Sequence, residues 1–289
     1  MILGLGFVIA ASSGLALYHS TQAGDTAQAR SVASTQSSSR TLTKSPATNT
    51  TTPAGPTSAQ LQTIVNQAAA SAGVPTGIVV TDVANGATAS SNADTVFVSA
   101  SIYKLYVADA IYHGIDAGSV SLAQSAGDTG LNVGQCLNYM ITVSSNPCGE
   151  ALAGIVGWNS QNPALHAAGF THTVLSLTSN EQTSASDVAL LLQKLYRGQL
   201  VSASSTAAFI KLLKAQQINN RLPAGLPAGT VIAHKTGDLN GLVHDAGIVY
   251  TAHGDYIVVA LTGPWAEPGN APAWFANFSS QVYAAVTGS

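Results

Sequence analysis

Three stretches near the end of the chain decide the fold: T-V-I-A-H-K-T-G at residues 230–237, H-D-A-G-I-V-Y-T at 244–251 and D-Y-I-V-V-A-L-T-G at 255–263. Each is rich in apolar and β-branched residues, a composition typical of buried strands. The turns between them contain glycine and are too short for the crossover that parallel strands need. The sequence therefore predicts three antiparallel strands here.

The start of the folded region predicts further elements of the same layer. Apolar residues recur there at helical spacing before a stop at Gly73: Leu61, Ile64, Val65 and Ala68. The stretch T-G-I-V-V-T-D-V at 76–83 has strand composition, and Asn85-Gly86 predicts a hairpin turn into a second strand. Strands at both chain ends indicate one sheet assembled from the termini.

The middle of the chain lacks the strand composition seen at both ends. Residues 101–217 predict helices with short loops, at 102–112, 133–143, 147–156, 185–196 and 203–215, and a final helix is expected at 272–286. Few strand signals appear between them. We predict an α/β fold of the α+β type, in which an antiparallel sheet from both chain ends is flanked by helices. A mostly helical lobe completes it, and the active site lies in the cleft between.

Composition excludes some functions. The 289 residues carry a formal net charge of −3 and only 8% charged side chains, so no basic face exists for nucleic acid. A surface built from Ser, Thr, Asn, Gln and Ala favours an extracytoplasmic protein.

The N-terminal region predicts a separate organisation. Residues 1–18 form an almost uninterrupted uncharged apolar run, which is either a signal peptide or a retained membrane anchor, and we favour the anchor. Residues 19–57 are rich in Ser and Thr without hydrophobic period, which predicts a disordered linker. The catalytic domain is expected at 58–289.

A serine and a lysine stand three residues apart in V-S-A-S-I-Y-K-L, residues 98–105. A helix would place Ser101 and Lys104 on one face. Lysine acts as a base only when desolvation or nearby positive charge lowers its pKa, and apolar neighbours and Lys235 could supply both. The alternative is a surface lysine on the first turn of a helix.

Two further motifs follow. M-I-T-V-S-S-N-P at 140–147 contains Ser144 and Asn146 at a junction of two helices, where an N-cap pair is the alternative interpretation. A-H-K-T-G-D at 233–238 places Lys235, Thr236 and Gly237 on the first strand after the helical region. Glycine there would let a substrate approach the backbone.

In order, S-x-x-K, S-x-N and K-T-G resemble the motifs of penicillin-recognising serine enzymes, and the flanking sequence is most similar to class A β-lactamases. The resemblance covers about residues 58–288 and includes V-G-Q-C-L-N-Y-M-I-T-V-S-S-N at 133–146. It implies a β-lactamase/transpeptidase-like fold. It also implies that Ser101 is acylated, that Lys104 is its base and that Ser144 relays a proton to the leaving nitrogen.

The same resemblance assigns the binding residues. Asn146 would hold the substrate amide, and Lys235 with Thr236 would receive its carboxylate. The backbone N–H groups of Ser101 and Asp238 would form the oxyanion hole. No cofactor is implied.

Arg221 stands where some class A enzymes carry a carboxylate-binding arginine, although an exposed loop arginine is the alternative. His234 and His244 are expected to be structural or to line the cleft, because no metal-ligand spacing surrounds them. No metal is therefore expected. Asp245 is expected to satisfy backbone donors.

The chain departs from the family pattern at the omega loop. No E-x-x-x-N follows Gly169, and Glu181 is the sole acid between Gly169 and Thr183. We predict Glu181 to be a first-turn carboxylate favoured by the dipole of the next helix. Ser145 also replaces the aspartate that class A members usually carry. Acylation is expected to remain intact, and deacylation is expected to be slow.

The two cysteines, Cys136 and Cys148, bracket the S-x-N motif. In an oxidising compartment they could form a disulfide that fastens this loop, whereas two buried free thiols are the alternative.

Together these features predict a serine hydrolase of the class A β-lactamase type. The alternatives are a D,D-carboxypeptidase or transpeptidase acting on peptidoglycan peptides, and a non-catalytic module that binds wall peptides. A small β-lactam or a cell-wall peptide is the expected substrate. The protein is expected to be monomeric, with membrane contact only through its N-terminal segment.

Overall fold

The computed structural model describes residues 55–289. The predicted anchor or signal peptide at 1–18, and all of the predicted linker except residues 55–57, lie outside the described residues. Thr57 caps the first helix, because its side chain accepts a hydrogen bond from the Gln60 backbone and Gln60 reciprocates. The first helix therefore begins at Ser58.

The strands of the described part are β1 (Thr76–Asp82), β2 (Thr88–Ser91), β3 (Val96–Val98), β4 (Gln182–Ser184), β5 (Val231–Leu239), β6 (Leu242–Tyr250) and β7 (Tyr256–Thr262). Its α-helices are α1 (Ser58–Ser71), α2 (Tyr103–Asp116), α3 (Val133–Thr142), α4 (Asn146–Val156), α5 (Asn162–Ala167), α6 (Ala185–Tyr196), α7 (Ala203–Lys214) and α8 (Ala271–Thr287).

Five strands form one sheet in the order β2-β1-β7-β6-β5. All neighbouring pairs are antiparallel, including the pairing of β1 with β7 that joins the two ends of the domain. The predicted antiparallel sheet from both termini is thus confirmed. The β5, β6 and β7 stretches are joined by tight turns, and β1 pairs with the edge of β7 that β6 leaves free.

Hydrophobic cores lie on both faces of the sheet. One core packs α2, α3, α4, α6 and α7 against it around buried Tyr106 and Leu105. The other packs α1 and α8 around Leu61, Phe275 and Phe278. Strand β7 is buried along its whole length because both of its faces are covered. This explains why its sequence is a continuous apolar run instead of an alternating one.

The structure departs from the sequence expectations in the helical lobe. Strands β3 and β4 pair antiparallel in a small second sheet that the sequence did not predict. They are three residues long, so each lacks the length that gives a periodic signal. The short helix α5 was also missed.

The prediction for Glu181 was wrong. Helix α6 begins at Ala185 with Ser184 as its N-cap, and the acid in its first turn is Asp187. Glu181 instead precedes strand β4, outside the reach of the helix dipole. Helix α6 begins where the sequence predicts it, and the three residues of β4 separate Glu181 from its first turn.

None of the helices within residues 55–289 combines the length and the hydropathy needed to cross a bilayer.

Candidate active site

The nucleophile candidate lies on a strained turn between β3 and α2. Ala100 has a positive φ of 45°, and a short 3-10 helix at Ala100–Ile102 carries Ser101 into α2. A non-glycine residue in this region is uncommon and often marks a functional site. The turn is fixed by a hydrogen bond of 2.8 Å from the Ser99 N–H to the Glu181 carbonyl.

Lys104 is fully buried and surrounded by oxygen atoms. Its Nζ lies 3.0 Å from Ser101 Oγ, 2.7 Å from the Ser144 carbonyl oxygen and 2.7 Å from Asn146 Oδ1. Two of these three atoms are carbonyl oxygens, which only accept. In a neutral amine they take both N–H groups and leave the lone pair for the Ser101 hydroxyl. With Lys104 neutral, this contact set would allow its amine to accept a proton from Ser101.

Burial also supplies the required protonation state. It lowers the pKa of Lys104 to about 8, while the carboxylates of Glu150 and Glu181 act in the opposite direction. A substantial fraction of Lys104 is therefore neutral at mildly alkaline pH.

Ser144 occupies the turn between α3 and α4 with a positive φ of 59°. The N-cap of α4 is Ser145, whose hydroxyl accepts from the Cys148 N–H. The alternative interpretation of this motif as an N-cap therefore describes Ser145. Ser144 remains free of capping and faces two lysines, with its Oγ 3.3 Å from Lys104 Nζ and 2.9 Å from Lys235 Nζ.

Lys235 reaches the site from strand β5. Its Nζ also donates to the Thr236 carbonyl over 2.8 Å. Burial, together with the charge of Lys104, lowers its pKa well below the ordinary value. A substrate carboxylate beside Lys235 would favour its charged form. The buried Thr236 Oγ1 has no hydrogen-bond partner within the described chain, so it can still bind a polar group.

Two glycines permit close packing around these groups. A Cβ on Gly237 would stand 3.2 Å from Ile102 Cγ1 and 3.2 Å from the Ser99 carbonyl, so glycine lets β5 pack on the nucleophile turn. The predicted role of Gly237 in admitting substrate stays a prediction. A Cβ on Gly149 would stand 2.9 Å from Lys104 Cε and 2.7 Å from the Tyr103 hydroxyl. Sequence reasoning missed Gly149, because one glycine in a helix carries no distinctive signal.

Arg221 is buried, not exposed. Its guanidinium donates to the carbonyl oxygens of Gly237 and His244 and forms an ion pair with the Asp238 carboxylate. It therefore lies directly behind the end of β5 that follows the K-T-G motif. Its predicted contact with a substrate carboxylate stays a prediction.

Both histidines near β5 have structural partners. His234 Nδ1 lies 2.9 Å from Asp245 Oδ1, and Asp245 also accepts from the Leu222 N–H. His244 Nδ1 accepts from the Thr262 N–H, so Nε2 carries the proton donated to the Val98 carbonyl. Burial lowers the pKa of His244 to about 4, so it stays neutral. Within residues 55–289 no cluster of His, Cys, Asp or Glu could hold a metal ion.

A disulfide joins Cys136 on α3 to Cys148 on α4, with a Cα–Cα distance of 4.8 Å. It closes the segment that presents Ser144 and Asn146. The two helices fold back on each other at this turn, which is the arrangement that the pairing requires.

A cleft of about 210 Å³ opens beside Ser101. Sequence reasoning did not place several of its lining residues there, among them two carboxylates and an aromatic pair with ring centroids 5.6 Å apart: Glu150, Glu181, Tyr103 and Trp158. Asn146 and Asp238 line the same cleft. The elements that supply these residues are far apart in the sequence, which is why no local pattern indicated them.

The chain is similar to known proteins in sequence and fold. The profile of the Beta-lactamase enzyme family matches residues 56–286. Beta-lactamase FAR-1 of Nocardia farcinica is 26% identical over 242 residues, covering 69% of this chain and 75% of the relative. Beta-lactamase VEB-1 of Pseudomonas aeruginosa is 28% identical over 213 residues, covering 59% of this chain and 71% of the relative. A solved mutant of PBP-A, an acyl-enzyme complex with penicillin-G, is 25% identical with a TM-score of 0.71, covering 78% of this chain and 96% of that chain.

Proposed function

Because the chain belongs to the Beta-lactamase enzyme family, we propose that it is a serine hydrolase that opens β-lactam rings through an acyl-enzyme on Ser101. The observation that carries the proposal is the contact of Lys104 Nζ with Ser101 Oγ at 3.0 Å, with two carbonyl oxygens on the other sides of the amine. A hydroxyl nucleophile needs an adjacent base in this position.

Acylation follows from these contacts. Ser101 Oγ attacks the lactam carbonyl while its proton passes to Lys104, and the backbone N–H groups of Ser101 and Asp238 stabilise the oxyanion. The C–N bond breaks when the lactam nitrogen receives a proton from Ser144, and the proton that Lys104 took from Ser101 passes on to Ser144. Ser144 Oγ accepts from Lys235, which leaves its own hydrogen free for this donation.

The substrate carboxylate is placed at the end of β5. Lys235 supplies a cation there, and Thr236 supplies the hydroxyl that lacks a partner in the described chain. Asn146 holds the substrate amide from the opposite wall of the cleft. Gly237 and the Arg221–Asp238 ion pair shape this end of β5 and set where the carboxylate binds.

The compartment is proposed to be extracytoplasmic, and the protein is proposed to act as a monomer. The Cys136–Cys148 disulfide supports an oxidising compartment. Membrane attachment is assigned to the N-terminal apolar run.

A penicillin-binding D,D-peptidase acting on wall peptides is the second candidate. It is favoured by the absence of E-x-x-x-N after Gly169, since slow deacylation suits a peptidase that penicillin traps. A non-catalytic module that binds wall peptides is the third candidate. The contact of Lys104 Nζ with Ser101 Oγ makes it less favoured than the two enzymes.

The test is a time course of the full chain with a chromogenic cephalosporin, followed by stopped-flow absorbance and intact-protein mass spectrometry. We expect an adduct on Ser101, ring opening beyond one equivalent, and neither in Ser101→Ala. One equivalent of lasting adduct, together with turnover of an acyl-D-Ala-D-Ala peptide, would favour the peptidase. Absence of any adduct would exclude the acyl-serine mechanism for β-lactams.

A further inference from the structure

We propose that Asp238 determines which substrates the cleft accepts, because its carboxylate holds Arg221 and keeps a negative charge at the end of β5 where the substrate carboxylate is placed. β-Lactams with an uncharged group at this end therefore acylate Ser101 nearly as fast as their carboxylate counterparts. The inference rests on the proposed function and names the substrate class within it.

Arg221 is fixed by the sheet. Its Nη1 donates to the carbonyl oxygens of Gly237, over 3.2 Å, and His244, over 2.6 Å. These two residues are opposite each other in the pairing of β5 with β6. The arginine is buried, so it has little freedom to follow a substrate into the cleft. Nη1 is thus committed to the backbone, and Nη2 is the nitrogen that binds the Asp238 carboxylate.

Asp238 stands between this guanidinium and the open cleft. Its carboxylate forms the ion pair with Arg221, yet 57% of the side chain is exposed. Asp238 also lines the cleft together with Ser101. The carboxylate therefore holds the arginine on one side and faces the space for substrate on the other.

The Asp238 carboxylate is also close to the proposed position of the substrate carboxylate. Strand β5 is regularly paired with β6, so Thr236 and Asp238 project to the same face of the sheet, about 7 Å apart. Thr236 Oγ1 is the hydroxyl proposed to receive the substrate carboxylate. Their separation is below the Debye length at physiological ionic strength, so salt does not remove the repulsion between two negative charges there.

The ion pair adds little net charge to this end of the strand. Burial and the charge of Lys104 lower the pKa of Lys235. The charge of Arg221 acts in the same direction, whereas that of Asp238 acts against it. The two charges of the pair thus oppose each other at Lys235. Lys235 is then the cation that a substrate carboxylate meets, without help from Arg221.

A carboxylate substrate meets a cost that an uncharged substrate avoids. To reach Arg221, it must displace the Asp238 carboxylate, and to bind beside the ion pair, it must lie near a like charge. Either course offsets part of the attraction of Lys235. An ester at the same position loses that attraction and avoids the repulsion, so we expect the two substrates to acylate the enzyme at similar rates.

The experiment uses benzylpenicillin and its methyl ester, which differ by one methyl group and one charge. The rate of Ser101 adduct formation by the full chain is measured for each substrate by quenched flow and intact-protein mass spectrometry. The acid-to-ester rate ratio is the readout, because both substrates use the same oxyanion hole and any change there cancels. We expect a wild-type ratio below about ten. Asp238→Asn should raise it at least about fivefold, because the released guanidinium forms a charge-assisted hydrogen bond with the substrate carboxylate.

Asp238→Ser removes the charge together with most of the side chain and should raise the ratio by at least the same factor. Arg221 keeps its two backbone acceptors in both variants, so the end of β5 stays paired with β6. Glu150→Gln is the matched control, because Glu150 lines the same cleft outside the Arg221 ion pair. Its ratio should stay within about threefold of wild type.

Three outcomes would overturn the inference: a wild-type ratio above about ten, a smaller rise in both Asp238 variants, or an equal rise in Glu150→Gln. A wild-type chain that forms no adduct with either substrate would instead refute the proposed function, so the two failures are distinguishable.

Discussion

Lys235 Nζ donates a hydrogen bond to Ser144 Oγ over 2.9 Å and thereby joins the sheet to the helical lobe across the cleft. Lys235 belongs to β5, whereas Ser144 belongs to the turn between α3 and α4. The hydroxyl also lies 3.3 Å from Lys104, so one oxygen contacts both lysines of the site. In the proposed mechanism, Ser144 therefore lies between the base of Ser101 and the cation that binds the substrate carboxylate.

Replacing Ser144 should therefore slow acylation without abolishing binding. We expect Ser144→Ala to lower the acylation rate about 10²–10⁴-fold, because the leaving nitrogen loses its proton donor. Stopped-flow acylation at several substrate concentrations measures the effect. Ser145→Ala is the control, since it removes only an N-cap at a cost of about 1 kcal/mol in stability. Equal acylation by both variants would contradict the relay role.

Acylation should depend on pH through Lys104. Its pKa is lowered to about 8, so the neutral form grows and acylation accelerates as pH rises through about 8. Glu150 raises this pKa, and Glu150→Gln should therefore shift the midpoint to lower pH. The measurement is the acylation rate across the pH range for both proteins. A midpoint that stays in place or moves upward would show that Lys104 is not the titrating base.

A methyl group on Gly149 should disturb Lys104. Gly149→Ala would place its Cβ 2.9 Å from Lys104 Cε, so we expect acylation to fall at least about tenfold. Gly154→Ala in the same helix is the matched control, because no atom lies within 4 Å of its added Cβ. It should keep activity and gain about 0.5–1 kcal/mol of stability. Normal acylation by Gly149→Ala would show that the lysine stem tolerates displacement.

Loss of the hydroxyl of Thr183 should loosen the packing of β4 on α2. Thr183→Val leaves the Tyr106 hydroxyl without its acceptor and should lower the free energy of unfolding by about 1–3 kcal/mol. Urea unfolding of the variant against wild type measures this loss. Thr183→Ser keeps the hydroxyl and should retain most of the wild-type stability. Wild-type stability of the valine variant would contradict the prediction.

Opening the disulfide should loosen the turn that carries Ser144. The bond links residues 12 positions apart, and replacing Cys136 and Cys148 together by Ala should lower the free energy of unfolding by about 3 kcal/mol. Urea unfolding of the double variant against wild type measures this. Acylation should slow in parallel, because Asn146 and the Ser144 carbonyl hold Lys104 in place. Unchanged stability under oxidising conditions would contradict the prediction.

The sequence was sufficient to predict the last three strands of the sheet, because each has a local composition typical of a strand. Residues 231–239, 242–250 and 256–262 combine apolar composition with tight turns, and their antiparallel order followed directly. Strands β3 and β4 gave no such signal. Three residues cannot establish a period, and their pairing joins segments more than eighty residues apart.

What the sequence by itself determined is the order of motifs: Ser101 with Lys104, then Ser144 with Asn146, then Lys235 with Thr236. Spacing within each motif is local, so the chain alone indicates a helix, a turn or a strand that carries it. Only the tertiary structure decided that Lys104 is fully buried, that Arg221 is buried against Asp238, and that Glu181 lines the cleft. Burial and through-space contact arise when distant elements pack together, and no local pattern of residues encodes them.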